Sequence, residues 1–253
     1  MTVAHRTGTR SRVATAGTWI DAQIASERSR NLSRQRLIRV SAVLVVLLGL
    51  TVTIGYKPLF KQNFSEVVPN RLYRSAQPDD RLAGWIEEHN IKSVLNLRGG
   101  YPSYQWYAQE REIIRDHTVD YYEIPISAQL RPRKRELLQI IDLLGRARYP
   151  LLVHCKSGAD RTGLGVALYH LMVQKELPQT ALSGFSIYHA HIPLFGPEKL
   201  QQPIREYADW LEQKELIHTP ERFREWVETE YEDGREPEAT PKAAVSVESA
   251  PSP

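Results

Sequence analysis

The chain has 253 residues, which is enough for one sizeable domain with appendages. Its single cysteine excludes an intrachain disulfide framework and any cysteine-based zinc finger. The formal net charge of +3 is unevenly distributed: residues 1–39 hold eight arginines against two acids, whereas the end of the chain is acidic and then rich in Pro, Ala and Ser. We expect the leader (1–39) and the tail (232–253) to be disordered, because neither can bury much apolar surface.

Residues 40–56 form a run of seventeen residues without a charge, and we predict a single transmembrane helix here. A buried core helix is one alternative. A cleavable signal peptide is another, disfavoured because the run starts late in the chain and no small-residue cleavage site follows it. The arginine-rich leader predicts a cytoplasmic N-terminus, so in a bacterial inner membrane the following domain would be periplasmic. Nucleic-acid binding by the leader is disfavoured, since no folded motif accompanies its arginines.

The remaining elements fill a domain predicted over residues 62–231. In chain order, the sequence predicts a β-hairpin (64–68 and 72–75), a helix (78–88), a strand (93–97), a helix (103–117), a strand (119–126), a helix (132–147), a strand from residue 151, a helix (162–175) and two closing helices (178–189 and 201–214). Strands that alternate with helices form a parallel sheet with crossovers on both faces. The predicted fold class is therefore α/β, with a central, mostly parallel sheet flanked by helices.

The most informative segment runs from Leu151 to Gly163. A short apolar strand enters a small-residue loop that begins at Cys155 and ends at Arg161, and a helix follows. Loop amides curled over a helix N-terminus bind an oxyanion such as phosphate, and the same field favours the thiolate of Cys155 as a nucleophile. The planar fork of Arg161 can hold two phosphate oxygens. The segment predicts phosphate-ester cleavage through a cysteinyl-phosphate; a buried structural cysteine beside a salt-bridging arginine is the alternative.

This segment resembles the His-Cys-five-residues-Arg signature of the protein tyrosine and dual-specificity phosphatase superfamily. The matching positions are His154, Cys155, Gly158, Arg161, Thr162 and Gly163. The opening of the domain (Asn-Phe…Tyr-Arg-Ser…Pro) is similar to that of bacterial and fungal atypical dual-specificity phosphatases. The resemblance implies that Cys155 is the nucleophile, that Arg161 clamps the phosphate and the transition state, and that His154 tunes the cysteine. The phosphate would be cradled by the amides of Lys156, Ser157, Gly158, Ala159, Asp160 and Arg161.

The general acid that protonates the leaving oxygen is not where the resemblance places it. The family carries an Asp on a loop after the preceding strand, but residues 124–130 contain no carboxylate. Asp160, inside the phosphate loop, is predicted to be the acid, as in some lipid-directed bacterial members of the superfamily. The alternatives are that Asp160 only buttresses the loop and that Glu123 or Asp120 supplies the proton. His189 and His191 are predicted to be a surface pair outside the chemistry.

Two further arginines, Arg98 and Arg74, are candidates for a place near the phosphate loop. Arg98 leaves a strand at its carboxyl end, so we expect it near the rim of the phosphate loop; a surface arginine in a turn is the alternative. Arg74 is predicted to make structural pairs. A basic rim that would attract an anionic headgroup is predicted from Lys156, Arg98, Arg131, Arg133, Lys134 and Arg135.

The substrate is predicted from the expected topology. A domain tethered outside the cytoplasm meets phosphorylated lipids at high local concentration, which favours a lipid or glycolipid phosphate, such as the lipid A moiety of lipopolysaccharide or phosphatidylglycerophosphate. A protein tyrosine or dual-specificity phosphatase acting on phosphoproteins is the alternative. A non-catalytic membrane-tethered phosphate-binding module is disfavoured, because Cys155 and Arg161 are both present. No metal, organic cofactor or nucleic-acid partner is expected.

Overall fold

The computed structural model describes residue 28 and residues 34–49, 62–194 and 196–233, and the chain divides into two compact units, residues 1–53 and 54–253. In the first unit, residues 34–49 form a helix, α1, whose residues are exposed. Residues 34–39 were expected to be disordered, but they are helical because Arg, Gln and Leu favour that conformation. Within the described ranges, no helix combines the length and apolarity that crossing a bilayer requires. The remaining part of the predicted transmembrane segment, 50–56, lies outside the described residues, as do most of the leader and the tail beyond 233.

In the second unit, the described residues form a five-stranded sheet in the order β1-β2-β5-β3-β4. The strands are β1 (Ser65–Val68), β2 (Leu72–Ser75), β3 (Ser93–Asn96), β4 (Asp120–Glu123) and β5 (Leu151–His154). β1 pairs antiparallel with β2, as a hairpin does, and the other three pairings are parallel. The prediction of a mostly parallel sheet, with an N-terminal hairpin at its edge, is therefore confirmed.

Helices cover both faces of this sheet. They are α2 (Arg81–His89), α3 (Gln105–Asp116), α4 (Lys134–Arg146), α5 (Asp160–Met172), α6 (Pro178–Ala181), α7 (Gln202–Gln213) and α8 (Pro220–Thr229). Along β5, Leu151 and Val153 pack into a core shared with α4, α5, α7 and α8, while Leu152 packs into a smaller core with α2 and α3. This alternation explains why every residue of the central strand is apolar or buried. α5 lies deepest, with nine of its thirteen residues buried.

Three element predictions are wrong in detail. The strand predicted over 119–126 ends at Glu123, because β3 turns away after Asn96, whose Oδ1 accepts from Arg98 N and Gly99 N. The helix predicted over 178–189 breaks after α6 into short 3₁₀ turns, since the glycine at position 184 packs against the backbone of α5, where an added Cβ would lie 2.8 Å from Ala167 N. α8 was not predicted as a separate helix, although Thr219 caps it and a proline occupies its first turn.

Candidate active site

The phosphate loop leaves the carboxyl end of β5 between two parallel neighbours. β2 pairs with β5 on one side and β3 on the other, so the residues that follow all three strands meet at one edge of the sheet. Cys155 follows β5 directly and is 1% exposed, and α5 begins at Asp160. The predicted placement of the loop, between a central buried strand and a helix N-terminus, is confirmed.

Gly158 is the point at which this loop presses on the end of β2. Its φ of +71° lies in the left-handed region, and an added Cβ would lie 2.6 Å from Ser75 C and Ala76 N. These are backbone atoms held by the sheet, so they cannot swing aside as a flexible side chain would. Glycine is thus required here both by conformation and by space.

Arg74 supports the loop from inside the protein. It is 2% exposed, its Nη2 donates to Gly158 O (2.8 Å) and Ala159 O (3.3 Å), and its Nη1 donates to Gly184 O (2.7 Å). Burial lowers the pKa of Arg74 to about 10, and the nearby Cys155 partly counteracts this. The structural pairing expected for Arg74 is therefore present, and it is directed at the loop itself.

Two residues outside the signature hold the remaining loop carbonyls. Asn63 Nδ2 donates to Ser157 O (3.0 Å) and Gln77 N donates to Lys156 O (3.2 Å). Together with the contacts of Arg74, four successive carbonyls are bonded to the protein scaffold. Because C=O and N–H point in opposite directions across a trans peptide, the amides that follow these carbonyls face away from the scaffold. The result is a row of N–H groups available to an anion, from residue 157 to residue 160.

Arg161 is held loosely beside this row. Its Nη1 makes long contacts of 3.4 Å with Leu97 O and Ile126 O, and its buried Nε has no protein partner. None of the described carboxylates forms an ion pair with Arg161. The side chain therefore keeps donors free for an oxyanion in the same loop.

Arg98 lies close to the same site. Its guanidinium carbon is 3.5 Å from the ring centroid of Trp106, and its Nη1 donates to Gln77 Oε1 (3.2 Å). Burial and repulsion from Arg161 lower the pKa of Arg98, whereas the nearby Cys155 acts in the opposite direction. Arg98 thus lies near the rim, as expected from its place after β3.

A buried network reaches the residue before the nucleophile, and we call it the Glu110 network. Its members are Arg98, Gln77, Glu110 and His154. Gln77 Nε2 donates to Glu110 Oε2 (2.7 Å), and Glu110 Oε1 lies 2.7 Å from His154 Nε2, with both side chains fully buried. These last two atoms are not aligned as a hydrogen bond.

A second network ends at Asp160, and we call it the His191 network. Its members are Arg205, Gln201, His191 and Asp160. His191 Nδ1 lies 2.8 Å from Asp160 Oδ1, and Gln201 Nε2 contacts His191 Nε2. His191 is 4% exposed, so the prediction of a surface histidine pair is wrong for this residue. It is buried because its segment folds back over the start of α5, where the ring of Phe185 lies 5.0 Å away. His189 instead bonds to Ser65 Oγ (2.9 Å).

The other candidate acids lie away from the loop. Asp120 and Glu123 are on β4, an edge strand that β3 separates from β5. Asp120 pairs with Arg148 at 2.6 and 2.8 Å, and these hydrogen bonds lower the pKa of Asp120. Glu123 is exposed and lies 3.5 Å from the Tyr121 hydroxyl.

The predicted basic rim is divided in the structure. Lys156 is exposed in the loop and Arg98 lies near it, whereas Arg131 forms an ion pair with Glu206 of α7. Lys134 Nζ donates to a backbone carbonyl at the end of α8 (3.1 Å). The cluster 131–135 was expected at the rim from its charge alone, but packing of α4 against α8 directs part of it elsewhere.

Comparison with known proteins agrees with this site. Over residues 57–199, more than half of the chain, the sequence matches the family described as "DSP-PTPase phosphatase fused to NAD+ Kinase". The matched range includes the complete phosphate loop. The chain therefore belongs to this dual-specificity phosphatase family, a branch of the cysteine-dependent superfamily that its signature resembles.

Individual relatives match over shorter stretches. The inositol diphosphatase DSP1 of Oryza sativa subsp. japonica is 32% identical over 109 residues, which is 40% of this chain and 46% of the relative. The mouse phosphatidylglycerophosphatase and protein-tyrosine phosphatase 1 is 27% identical over 123 residues, 46% of this chain and 61% of the relative. The crystal structure of the core catalytic domain of the S. cerevisiae PP-IP phosphatase SIW14 has a TM-score of 0.46 at 22% identity, covering 60% of this chain and 93% of that one. The chain spans about half the length of the first curated relatives it matches.

Proposed function

We propose that this chain is a cysteine-dependent phosphomonoester hydrolase. The observation that carries the proposal is the loop in which four bonded carbonyls turn the amides outward beside Cys155 and Arg161. In the first step, the Cys155 thiolate attacks phosphorus and the bond to the leaving oxygen breaks, with its electron pair going to that oxygen. Water then attacks the cysteinyl-phosphate, the S–P bond breaks, and the thiolate is restored. The amides and Arg161 stabilise the charge that develops on the phosphoryl oxygens.

We further propose that the substrate is a lipid or glycolipid phosphate. Ten large hydrophobic residues are exposed within the described part of 62–233, and seven of them lie on three loops around the site. We call these seven the apolar rim: Tyr101, Tyr104, Leu130, Ile187, Tyr188, Ile192 and Leu194. Arg161 contacts the first two loops, through Leu97 O and Ile126 O, and Asp160 contacts the third through His191. A cationic, amide-lined centre within an exposed apolar rim suits a phosphate attached to a lipid.

The name of the mouse relative couples two substrate classes, a phosphatidylglycerophosphate and protein phosphotyrosine. This supports the lipid proposal and also the alternative of a protein tyrosine or dual-specificity phosphatase. The apolar rim favours the lipid, because a soluble phosphopeptide does not require exposed large hydrophobic side chains on the loops beside the phosphate.

Anchoring at the membrane is a separate proposal and rests on the sequence alone. The uncharged run 40–56 and the arginines before it support a single-pass protein with a cytoplasmic N-terminus and a periplasmic domain. Alkaline phosphatase fused after Lys214 should be active if this topology holds. Activity of a cytosolic reporter at that position would reverse the orientation.

The substrate proposal is tested with the full-length chain and three substrates: p-nitrophenyl phosphate, a phosphotyrosine peptide, and phosphatidylglycerophosphate in phosphatidylcholine vesicles. We expect Leu194→Ser to lower turnover of the vesicle lipid ~10-fold relative to p-nitrophenyl phosphate, because an exposed apolar contact is lost. The matched control is Ile217→Ser, which removes a 78% exposed residue remote from the three loops. Equal effects of the two variants on the lipid, or a higher specificity constant for the peptide, would favour the protein phosphatase.

A further inference from the structure

The hydrogen-bond partners in the His191 network determine which nitrogen of the His191 ring carries the proton. Arg205 Nη2 lies 2.6 Å from Gln201 Oε1, and Gln201 Nε2 contacts His191 Nε2. His191 Nδ1 lies 2.8 Å from Asp160 Oδ1. Gln201 is 6% exposed and His191 is 4% exposed, so their polar groups face these protein partners and not solvent water.

Arg205 fixes the orientation of the whole network. An arginine side chain has only N–H donors, so the Gln201 atom that faces it must be the amide oxygen. The NH₂ group of Gln201 then faces His191 Nε2, which must accept a hydrogen bond and cannot carry a proton. The proton of the neutral imidazole therefore lies on Nδ1, where it donates to Asp160.

We infer that His191 is a positioning residue that holds Asp160 as a carboxylate in the resting enzyme. Oδ1 of Asp160 accepts the Nδ1–H of His191 and so carries no proton, and this hydrogen bond is stronger to a carboxylate than to an acid protonated on Oδ2. Asp160 is also the first residue of α5, where the positive end of the helix dipole favours a negative charge. A resting carboxylate is suited to accept a proton, so Asp160 acts as the base of the second step rather than as the acid of the first.

This assignment rests on the proposed cysteinyl-phosphate. In its hydrolysis, a water oxygen attacks phosphorus and the S–P bond breaks, with the electron pair returning to Sγ of Cys155. The proton of that water goes to Asp160, whose side chain is 20% exposed and can then release it to solvent. In the preceding step, the leaving oxygen takes its proton from the phosphate monoanion or from water.

Rapid-mixing kinetics of Asp160→Asn test the assignment on the full-length chain. With p-nitrophenyl phosphate, we expect a burst of one nitrophenol per active site at nearly the wild-type rate, followed by turnover slowed ~10²- to 10⁴-fold. Phenyl phosphate should show the same steady rate, because both substrates form the same intermediate. A loss without a burst, whether larger for phenyl phosphate or equal for both substrates, would overturn the assignment: the first pattern indicates an acid and the second a purely structural residue.

Variants of His191 separate positioning from packing. His191→Leu removes the donor and should slow the post-burst phase ~10-fold, as expected for loss of a hydrogen bond to a charged group. His191→Asn retains an N–H near the position of Nδ1 and should restore most of this rate. His170→Leu is the matched control and should leave both phases unchanged, since its ring pairs with Glu176 at the opposite end of α5. The burst amplitude measures the fraction of active sites that are correctly folded, so misfolding lowers the amplitude and is distinguished from a slower second step. A normal post-burst rate in His191→Leu would overturn the role of His191.

A failure of the proposed function would look different. If Cys155→Ser retained turnover, no cysteinyl-phosphate would form and the proposed function would be wrong. If Cys155→Ser is inactive but Asp160→Asn shows no burst, only the assignment of Asp160 fails.

Discussion

Two networks flank the phosphate loop, and each passes from an arginine through a glutamine to an ionisable pair. The Glu110 network ends at two side chains with no solvent exposure, next to the nucleophile. The His191 network ends at a carboxylate that is 20% exposed, next to Arg161. A pair sealed from water can fix geometry and charge, but it has no direct contact with solvent through which to exchange protons. The His191 network reaches water and is therefore suited to proton transfer. The two networks are connected in a similar way, but one fixes geometry and the other can move a proton.

The largest expected effect comes from changing the two residues of the phosphate loop that carry the chemistry, Cys155 and Arg161. Cys155→Ser should abolish turnover but retain binding of vanadate, because the outward amides and Arg161 remain. Arg161→Lys should lower kcat ~10²- to 10³-fold, since a single point charge replaces the planar fork. Steady-state kinetics and vanadate titration measure these effects. If the serine variant kept more than a few per cent of wild-type turnover, Cys155 would not be the nucleophile that the two networks flank.

Breaking the sealed network should cost stability more than breaking the exposed one. Glu110→Ala leaves His154 buried without its partner, and we expect the free energy of unfolding to fall by ~3–5 kcal/mol. Asp160→Ala should cost less, ~1–3 kcal/mol, because only the buried N–H of His191 loses its acceptor while Asp160 itself reaches solvent. Denaturant unfolding of the two variants measures the difference. Equal losses would mean that burial does not distinguish the two networks.

Gly158→Ala tests the scaffold that the two networks share. The added Cβ would meet Ser75 and Ala76 backbone atoms at 2.6 Å, and a φ of +71° disfavours any L side chain. We expect a loss of ~1–3 kcal/mol in stability and weaker vanadate binding. The control is Gly145→Ala, on the surface of α4, where nothing lies within 4 Å and the loop is not involved. If both variants bind vanadate as wild type does, the loop tolerates a side chain and glycine is not required at position 158.

The smallest effect is expected at a carboxylate outside both networks. Hydrogen bonds from Arg148 lower the pKa of Asp120, so this pair stabilises the folded state above the unfolded value of about 4. The contribution is lost as the pH falls through the lower, folded pKa. Asp120→Asn should therefore reduce stability slightly at neutral pH, not at acidic pH, and leave kcat unchanged. Thermal unfolding at both pH values and a kinetic assay check this; a large loss of kcat would restore Asp120 as a candidate acid.

Most strands and helices of the domain, and the phosphate loop itself, are predictable from the sequence because the patterns that indicate them are local. The hairpin turn at Pro69-Asn70, the small-residue loop and the apolar stripe of α4 each lie within a few consecutive residues. The partners of the loop are not local: Asn63 lies 94 positions from Ser157, and His191 lies 31 positions from Asp160. Their contacts depend on tertiary packing, which no periodicity encodes. For Asn63 and Gln77 a weak signal exists, since both belong to the opening segment that resembles the family.

The central claim is the cysteinyl-phosphate, and acid quenching followed by peptide mass spectrometry tests it most directly. We predict one added phosphoryl group on the peptide containing Cys155, at low occupancy in the wild type and at high occupancy in Asp160→Asn during turnover of p-nitrophenyl phosphate. Turnover with no phosphoryl group on that peptide in either protein would contradict a covalent mechanism through Cys155.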